Sequence, residues 1–339
     1  MITGVSLCGT YPVCAADRYF SERVTRNMRY PSVDVIIPTY KPDHTFSVIL
    51  RRLSEQKYPV SNILIINTEE KYWNPEVIRD IPRVEVFHIS KEQFDHGATR
   101  NMGAGFSTAD YIVFMTQDAI PKDKNLIRKL LEPFADPLVK VSYARQMPRK
   151  DCKIIEGFSR SFNYPEKSIV RTEEDIKTQG IKALFCSDVC ACYEREFHKS
   201  MGGFDEPCIF NEDMIFAAKT LKKGYSVAYV ADARVIHSHN YTTMQQFHRN
   251  FDNGVSQAMH PEVFAKVSPE GEGLRMVMDT AAYLNSVGRS YMIPQLIWQS
   301  AFKYAGFRMG KLYNSLPSGM VRKLSMNKDF WSYSNIEDE

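Results

Sequence analysis

The 339-residue sequence has no apolar run near the roughly 18 residues that a membrane-spanning helix requires. A weakly apolar patch at 5–16 has no basic stretch ahead of it and is broken by Gly9 and Pro12, so no secretory signal is expected. Charge of one sign is also scarce. Forty-three Lys and Arg against 40 Asp and Glu leave a net charge of +3, too little to point to nucleic acid. The seven cysteines are odd in number and scattered, which suits a reducing cytosol better than a disulfide framework. Cys186, Cys190 and Cys192 do not have zinc spacing and read as small packing residues. No Gly-x-Gly-x-x-Gly follows the first apolar strand and no Walker loop occurs, which excludes a dinucleotide fold and a P-loop. Repeats and low-complexity tracts are absent.

What is present is ordinary globular composition, 44% hydrophobic and 24% charged, in a chain long enough for a large core. The stretch 111–115 is a nearly unbroken apolar run, as expected of a strand buried on both faces. It switches to Thr116-Gln117-Asp118, and Pro121 stops the ladder. Apolar strands at 33–37, 63–66 and 84–89 precede it. Helices are expected from 46–53, about 98–106 and about 124–134. Alternation at 20–30 residues predicts βαβ units and a doubly wound parallel sheet, an α/β fold. Residues 1–32 read as an extension, 145–180 as a polar connection or substrate loop, and 187–193 as a strand. A helix opens at 211–213, one or two strands follow over 225–236, and the pattern beyond 241 is helical.

Polar groups gather where these strands end. Thr39 and Tyr40 follow the first; Asn67, Thr68 and Glu69 the second; Asp118 the fourth, with Arg100 opening a helix nearby. Ligands of open α/β sheets lie at such strand ends. An arginine, helix amino-termini and a carboxylate suit a nucleoside diphosphate bridged by a divalent cation. His237 and His239 sit at i and i+2, so on an extended segment both would point to one metal; the alternative is two unrelated imidazoles.

The segments IIPTYKP, GATRNMGAG, FMTQDAIP, GGFDE and NEDMIFAAK, in this order over roughly 33–240, resemble the inverting family-two glycosyltransferases. FDHGATRN, TQDA and HSHNYT look most like bacterial rhamnosyltransferases of cell-wall or surface polysaccharide synthesis. The resemblance implies the GT-A fold, a Rossmann-like, mainly parallel sheet flanked by helices, over 33–244, with a basic helical region over 245–339. It implies that a nucleotide-sugar donor, dTDP-rhamnose, and a divalent cation, Mg2+ or Mn2+, serve transfer to a saccharide or lipid-linked acceptor. A catalytically inactive sugar-nucleotide-binding relative is the alternative, because Thr116 stands where the family's Asp-x-Asp motif has its first aspartate.

By the same resemblance, Pro38, Thr39 and Tyr40 match the loop that touches the nucleoside, and Asn67, Glu69 and Arg100 lie near base and ribose. Gln117 and Asp118 fall in the motif at the diphosphate, with Asp118 on the metal and a late histidine, His237 or His239, completing its site. Ser187, Asp188, Gly203 and Phe204 lie where donor sugar and acceptor meet. Asp213 matches the general base, with Glu212 its competitor. Consecutive helical residues point about 100° apart, so only one of the two is expected to face the cleft.

Between 289 and 328 there are seven Lys or Arg and no Asp or Glu, interleaved with aromatics. Ile293, Leu296, Ile297, Ala301 and Tyr304 mark one helical face, and Gln295, Gln299 and Lys303 another. Two readings stay open: contact with the inner face of the cell membrane, and a helix packed on the enzyme with its basic side in water.

Overall fold

A computed structural model of the chain describes residues 30–267 and 269–333. The amino-terminal extension expected over 1–32 lies outside these residues, apart from 30–32. Nine strands form one sheet among the described residues: β1 (Val33–Tyr40), β2 (Asn62–Thr68), β3 (Val84–Ile89), β4 (Tyr111–Met115), β5 (Ile120–Pro121), β6 (Val139–Met147), β7 (Ile169–Arg171), β8 (Cys190–Glu194) and β9 (Ser226–Ile236). Their order is β3-β2-β1-β4-β8-β6-β9-β5, with β7 on β9. The pairs β3–β2, β2–β1 and β1–β4 are parallel, as expected. The pair β6–β9 is parallel as well. β8 runs antiparallel to both β4 and β6, so the sheet is mixed.

Alternation along the central strands fills both faces. Val33, Val35 and Ile37 of β1 join Val113 and Met115 of β4 in one apolar layer, while Ile36, Ile112 and Phe114 join the other. With cover on both sides, these strands read as continuous apolar runs. Each such fully buried Val, Ile or Phe stabilises the fold by about 1.5–3 kcal/mol relative to exposure.

Among the described residues, seven helices flank the sheet: α1 (His44–Ser54), α2 (His96–Phe106), α3 (Leu126–Leu131), α4 (Ile154–Asn163), α5 (Glu173–Gln179), α6 (Arg195–Ser200) and α7 (Glu212–Lys222). α2 starts two residues before its expected position because the Asp95 carboxylate accepts from the amides of Gly97 and Ala98, both at 2.8 Å. α3 gives way to a 3-10 turn over Glu132–Ala135, where Pro133 removes a helical donor.

The stretch 145–180 is not a polar connection. It completes β6 and then builds α4, β7 and α5. Buried polar side chains here find partners within the protein. The Ser142 hydroxyl, just ahead of it on β6, donates to the Leu130 carbonyl at 2.7 Å, and buried Arg171 donates to the Phe185 carbonyl at 2.9 Å and to the Tyr143 hydroxyl.

Beyond β9 the chain is helical as expected: α8 (Thr243–Met259), α9 (Pro261–Phe264), α10 (Glu270–Ser286), α11 (Ile293–Lys311), α12 (Ser318–Leu324) and α13 (Phe330–Tyr333). α8 and α11 cross backbone to backbone. A Cβ on Gly306 would strike the Phe247 carbonyl, one on Gly310 the Phe251 carbonyl, and one on Gly254 the Phe307 carbonyl. The apolar face read from the sequence divides: Leu296 is buried and Ile293 packs beside it, whereas Ile297 and Tyr304 are exposed. No helix among the described residues is long and apolar enough to cross a membrane.

Candidate active site

A cavity of about 450 Å³ lies beyond the carboxyl ends of β4 and β6, bounded by the loop before β8 and the start of α7. The sheet side supplies Thr116, Asp118, Gln146, Ser187 and Asp188. Asn211, Glu212 and Asp213 come from the start of α7, His96 and Arg100 from α2, and Glu156 and Arg160 from α4. The carboxyl-terminal helices close the cavity with Arg249, Asn253, Met276 and Lys303.

Two acidic side chains share one arginine at this site, and a third lies beside them. Arg100 is 5% exposed; its Nε lies 3.3 Å from Asp188 Oδ2 and its Nη1 3.1 Å from Glu212 Oε1. Expected beside base and ribose, this guanidinium is instead buried among the acids. Asp213 Oδ2 accepts from the Asp188 amide at 2.9 Å, and its Oδ1 accepts from the Met214 amide at 2.7 Å. Burial, followed by the charge of Glu212, pushes the Asp213 carboxyl up to about 7. Burial also pushes at Glu212, but there the charges of Arg100 and His96 win and hold its carboxyl below the usual range. Burial raises Asp188 well above that range despite Arg100. Both Glu212 and Asp213 line the cavity, contrary to the expectation that one would turn away. Their difference is electrostatic: Glu212 is held as the partner of Arg100, and Asp213 keeps a carboxyl that titrates near neutrality.

A second cluster is set by strand pairing. Ile120 of β5 pairs with Ile236 of β9, which brings the residues after β9 beside Asp118. The Nε2 atoms of His237 and His239 each lie 3.4 Å from Asp118 Oδ2. One ligand atom from each residue falls within 4.8 Å of the others. Burial, then the charge of His237, pushes the His239 ring down to about 4, leaving a neutral imidazole at pH 7. Burial raises the Asp118 carboxyl, and the hydrogen bond and charge of His237 outweigh it, so the group stays ionised. Two imidazoles and a carboxylate fit a divalent transition-metal ion.

The residues matched to the nucleoside lie outside this cavity, at the ends of β1 and β2. Thr39 Oγ1 donates to Asn67 Oδ1 at 3.1 Å, and Asn67 Nδ2 meets His88 Nδ1 at 3.0 Å, so these two buried side chains hold each other. Pro38 pairs across the ladder with Ile66. Glu69 takes a left-handed backbone, φ 67°, and accepts from the Lys91 amide at 2.9 Å. Gln117 clamps the Tyr40 backbone, accepting from its amide at 2.8 Å and donating to its carbonyl at 3.0 Å. The exposed Tyr40 ring meets Tyr72 edge-on at 5.7 Å.

Gly203 and Phe204, expected where donor and acceptor meet, do not line the cavity. Phe204 is buried among Phe114, Tyr193, His198 and Phe216. Gly203, at φ 77°, passes against Asn101, whose amide clamps the Phe204 backbone at 2.8 and 2.9 Å. Cavity residues to which the sequence assigns no site role include Gln146, Arg160, Arg249 and Lys303. Gln146 lies past the strictly alternating start of β6, and the sequence places Lys303 only on a polar helical face, with membrane contact and a basic side in water both open. Only the excess of basic residues after 289 hinted at it.

Comparison with known proteins gives this geometry a lineage. Residues 34–202 match the model of glycosyl transferase family 2. The chain is 36% identical over 302 residues to the O-antigen chain rhamnosyltransferase RfbN of Salmonella typhimurium, covering 88% of this chain and 96% of that protein. It is 34% identical over 308 residues to the O-antigen chain rhamnosyltransferase WbaN of Salmonella anatum, covering 89% and 96%. Among solved structures, the mannosyltransferase PcManGT from Pyrobaculum calidifontis, in complex with GDP-Man and Mn2+, shares the fold. Its TM-score is 0.52 at 14% identity, covering 93% of this chain and 92% of that one. By its matched motifs, its GT-A fold and likeness along nearly its whole length, the chain belongs to glycosyl transferase family 2 and is a glycosyltransferase.

Proposed function

We propose that this glycosyltransferase moves rhamnose from dTDP-rhamnose to a saccharide or lipid-linked saccharide during surface polysaccharide synthesis, by single displacement with inversion. The rhamnosyl donor is supported by the names of the two relatives. The mechanism rests on one observation: a carboxyl pushed up to about 7, that of Asp213, lines the same cavity as the cluster of Asp118, His237 and His239. Asp213 takes the proton of the acceptor hydroxyl as its oxygen attacks the anomeric carbon. The bond from that carbon to the diphosphate breaks, and its electron pair leaves with the diphosphate. No covalent intermediate forms, so one base suffices.

Asp118, His237 and His239 would hold a divalent cation, which would supply positive charge against that developing on the leaving diphosphate. Magnesium favours all-oxygen ligation, whereas imidazoles suit transition metals, so the donor set favours Mn2+ over Mg2+. Tyr40, presented by Gln117, is assigned to the nucleoside, with Pro38, Thr39, Asn67 and Glu69 shaping that end of the sheet. Ser187 and Asp188 face the transferred sugar. Arg100 is a positioning residue that holds Glu212 and Asp188 around the base.

Residues 33–244 carry the donor and the chemistry, and the helices described between 245 and 333 close the acceptor side. A cytoplasmic chain with a peripheral membrane contact fits the outer face of α11, where Ile297, Trp298 and Tyr304, with Tyr291 just before it, are each more than half exposed. The reading is tested with a panel of nucleotide sugars, a bacterial lipid extract as acceptor, and Mn2+. Release of dTDP from dTDP-rhamnose is expected; release of pyrophosphate, or indifference to the donor, would overturn it.

A further inference from the structure

Gln146, at the end of β6, is 3% exposed and touches both halves of the active site. Its Oε1 lies 2.6 Å from Arg160 Nη1 and 2.9 Å from His237 Nδ1. Its Nε2 donates to Ser187 Oγ at 2.9 Å and to the Tyr164 hydroxyl. Arg160 is in turn fixed by Glu156, whose Oε1 accepts from its Nε at 2.8 Å and lies 2.7 Å from its Nη2.

These contacts have one consistent arrangement of hydrogens. A guanidinium only donates, so the amide atom facing Arg160 is the oxygen. An oxygen only accepts, so His237 Nδ1 must carry the hydrogen. When the ring is neutral its lone pair then lies on Nε2, the nitrogen 3.4 Å from Asp118 Oδ2; a proton that Nε2 donates to Asp118 leaves when a cation binds. From this chain of constraints we infer that Gln146 is the residue that sets the His237 tautomer and aims Nε2 at the divalent cation, with Arg160 fixing the amide that does so. The inference rests on the metal reading of Asp118, His237 and His239. Partners that orient a ligating imidazole typically alter metal affinity 10–100-fold when removed.

Mn2+ affinity, measured on the purified chain by electron paramagnetic resonance of the free ion, needs no acceptor and no turnover. Gln146→Leu removes the acceptor oxygen and should weaken Mn2+ binding about 10–100-fold. Gln146→Glu keeps an oxygen toward Arg160 and His237 while losing the donation to Ser187 and Tyr164, so its affinity should stay within about threefold of wild type. Nitrogen NMR of the wild-type chain with labelled histidine supplies an independent arm that does not depend on any variant folding. It should show the His237 hydrogen on Nδ1. Wild-type affinity in Gln146→Leu, equal losses in both variants, or a neutral His237 ring with its hydrogen on Nε2 would each overturn the inference. Failure of the wild type to bind Mn2+ at all would overturn the metal reading beneath it.

Discussion

Asp213 Oδ2 accepts a hydrogen bond from the main-chain amide of Asp188 at 2.9 Å. This bond ties the first turn of α7 to the loop before β8 and aims the carboxylate into the cavity rather than along the helix. A helix start ordinarily favours an ionised acid. Here burial and the neighbouring Glu212 win, and the carboxyl titrates near 7.

For Asp213→Asn, turnover should fall by a factor on the order of 10²–10⁴ with donor affinity nearly intact, the range for a lost general base. Glu212→Gln should retain turnover. Kinetics of the two variants, with donor binding measured by calorimetry, separate the roles. A dead Glu212→Gln beside an active Asp213→Asn would move the base by one residue.

The pH profile carries its own sign. Because the Asp213 carboxyl is raised, the proton-accepting form fills only as pH climbs through about 7. Turnover should therefore rise about tenfold per pH unit below that point and level off above it. Glu212 is among the causes that raise Asp213, so Glu212→Gln should move this acid limb to lower pH. An acid limb unmoved by that substitution would contradict the coupling.

Parts of this site were legible in the sequence because they obey local rules. Asp118 follows an apolar run that both core layers bury, and His237 and His239 alternate along an extended chain end. Arg100 was also visible, but its partners were not. Asp188 and Glu212 are 88 and 112 residues away, and no local pattern encodes such a meeting. β6 was lost for a related reason. Val139, Val141 and Tyr143 alternate with Lys140 and Ser142, but Ser142 and Gln146 are buried, and the hydrogen bonds that satisfy them come from distant elements. Phe204 misled in the opposite direction, since a motif residue beside a glycine turn proved to be aromatic core.

Activity should depend on a divalent cation, with Mn2+ more effective than Mg2+. Asp118→Asn removes the only carboxylate of the cluster and His239→Ala one imidazole. Each should weaken donor binding as well as turnover. Full activity in excess chelator would place charge neutralisation on protein cations instead.

Replacing Gly310 with alanine drives a methyl group into the Phe251 carbonyl at the α8–α11 crossing. Overpacking of this kind costs about 1–3 kcal/mol, which lowers the melting temperature by several degrees. Because α11 carries Lys303 to the cavity, the KM for acceptor should rise while donor affinity holds. An unchanged melting curve would show that the crossing has slack.

Sedimentation with anionic vesicles tests the outer face of α11. Binding should be salt-sensitive and should fall when Ile297, Trp298 and Tyr304 are replaced together by serine. Absence of binding at low salt would defeat the membrane contact and leave the transfer chemistry untouched.

Proton NMR of the glycoside formed from dTDP-rhamnose and the lipid-extract acceptor tests the central claim most directly. Single displacement with Asp213 as base predicts a product whose anomeric configuration is opposite to that of the donor, formed far more slowly by Asp213→Asn. A product that retains the donor's configuration would contradict it.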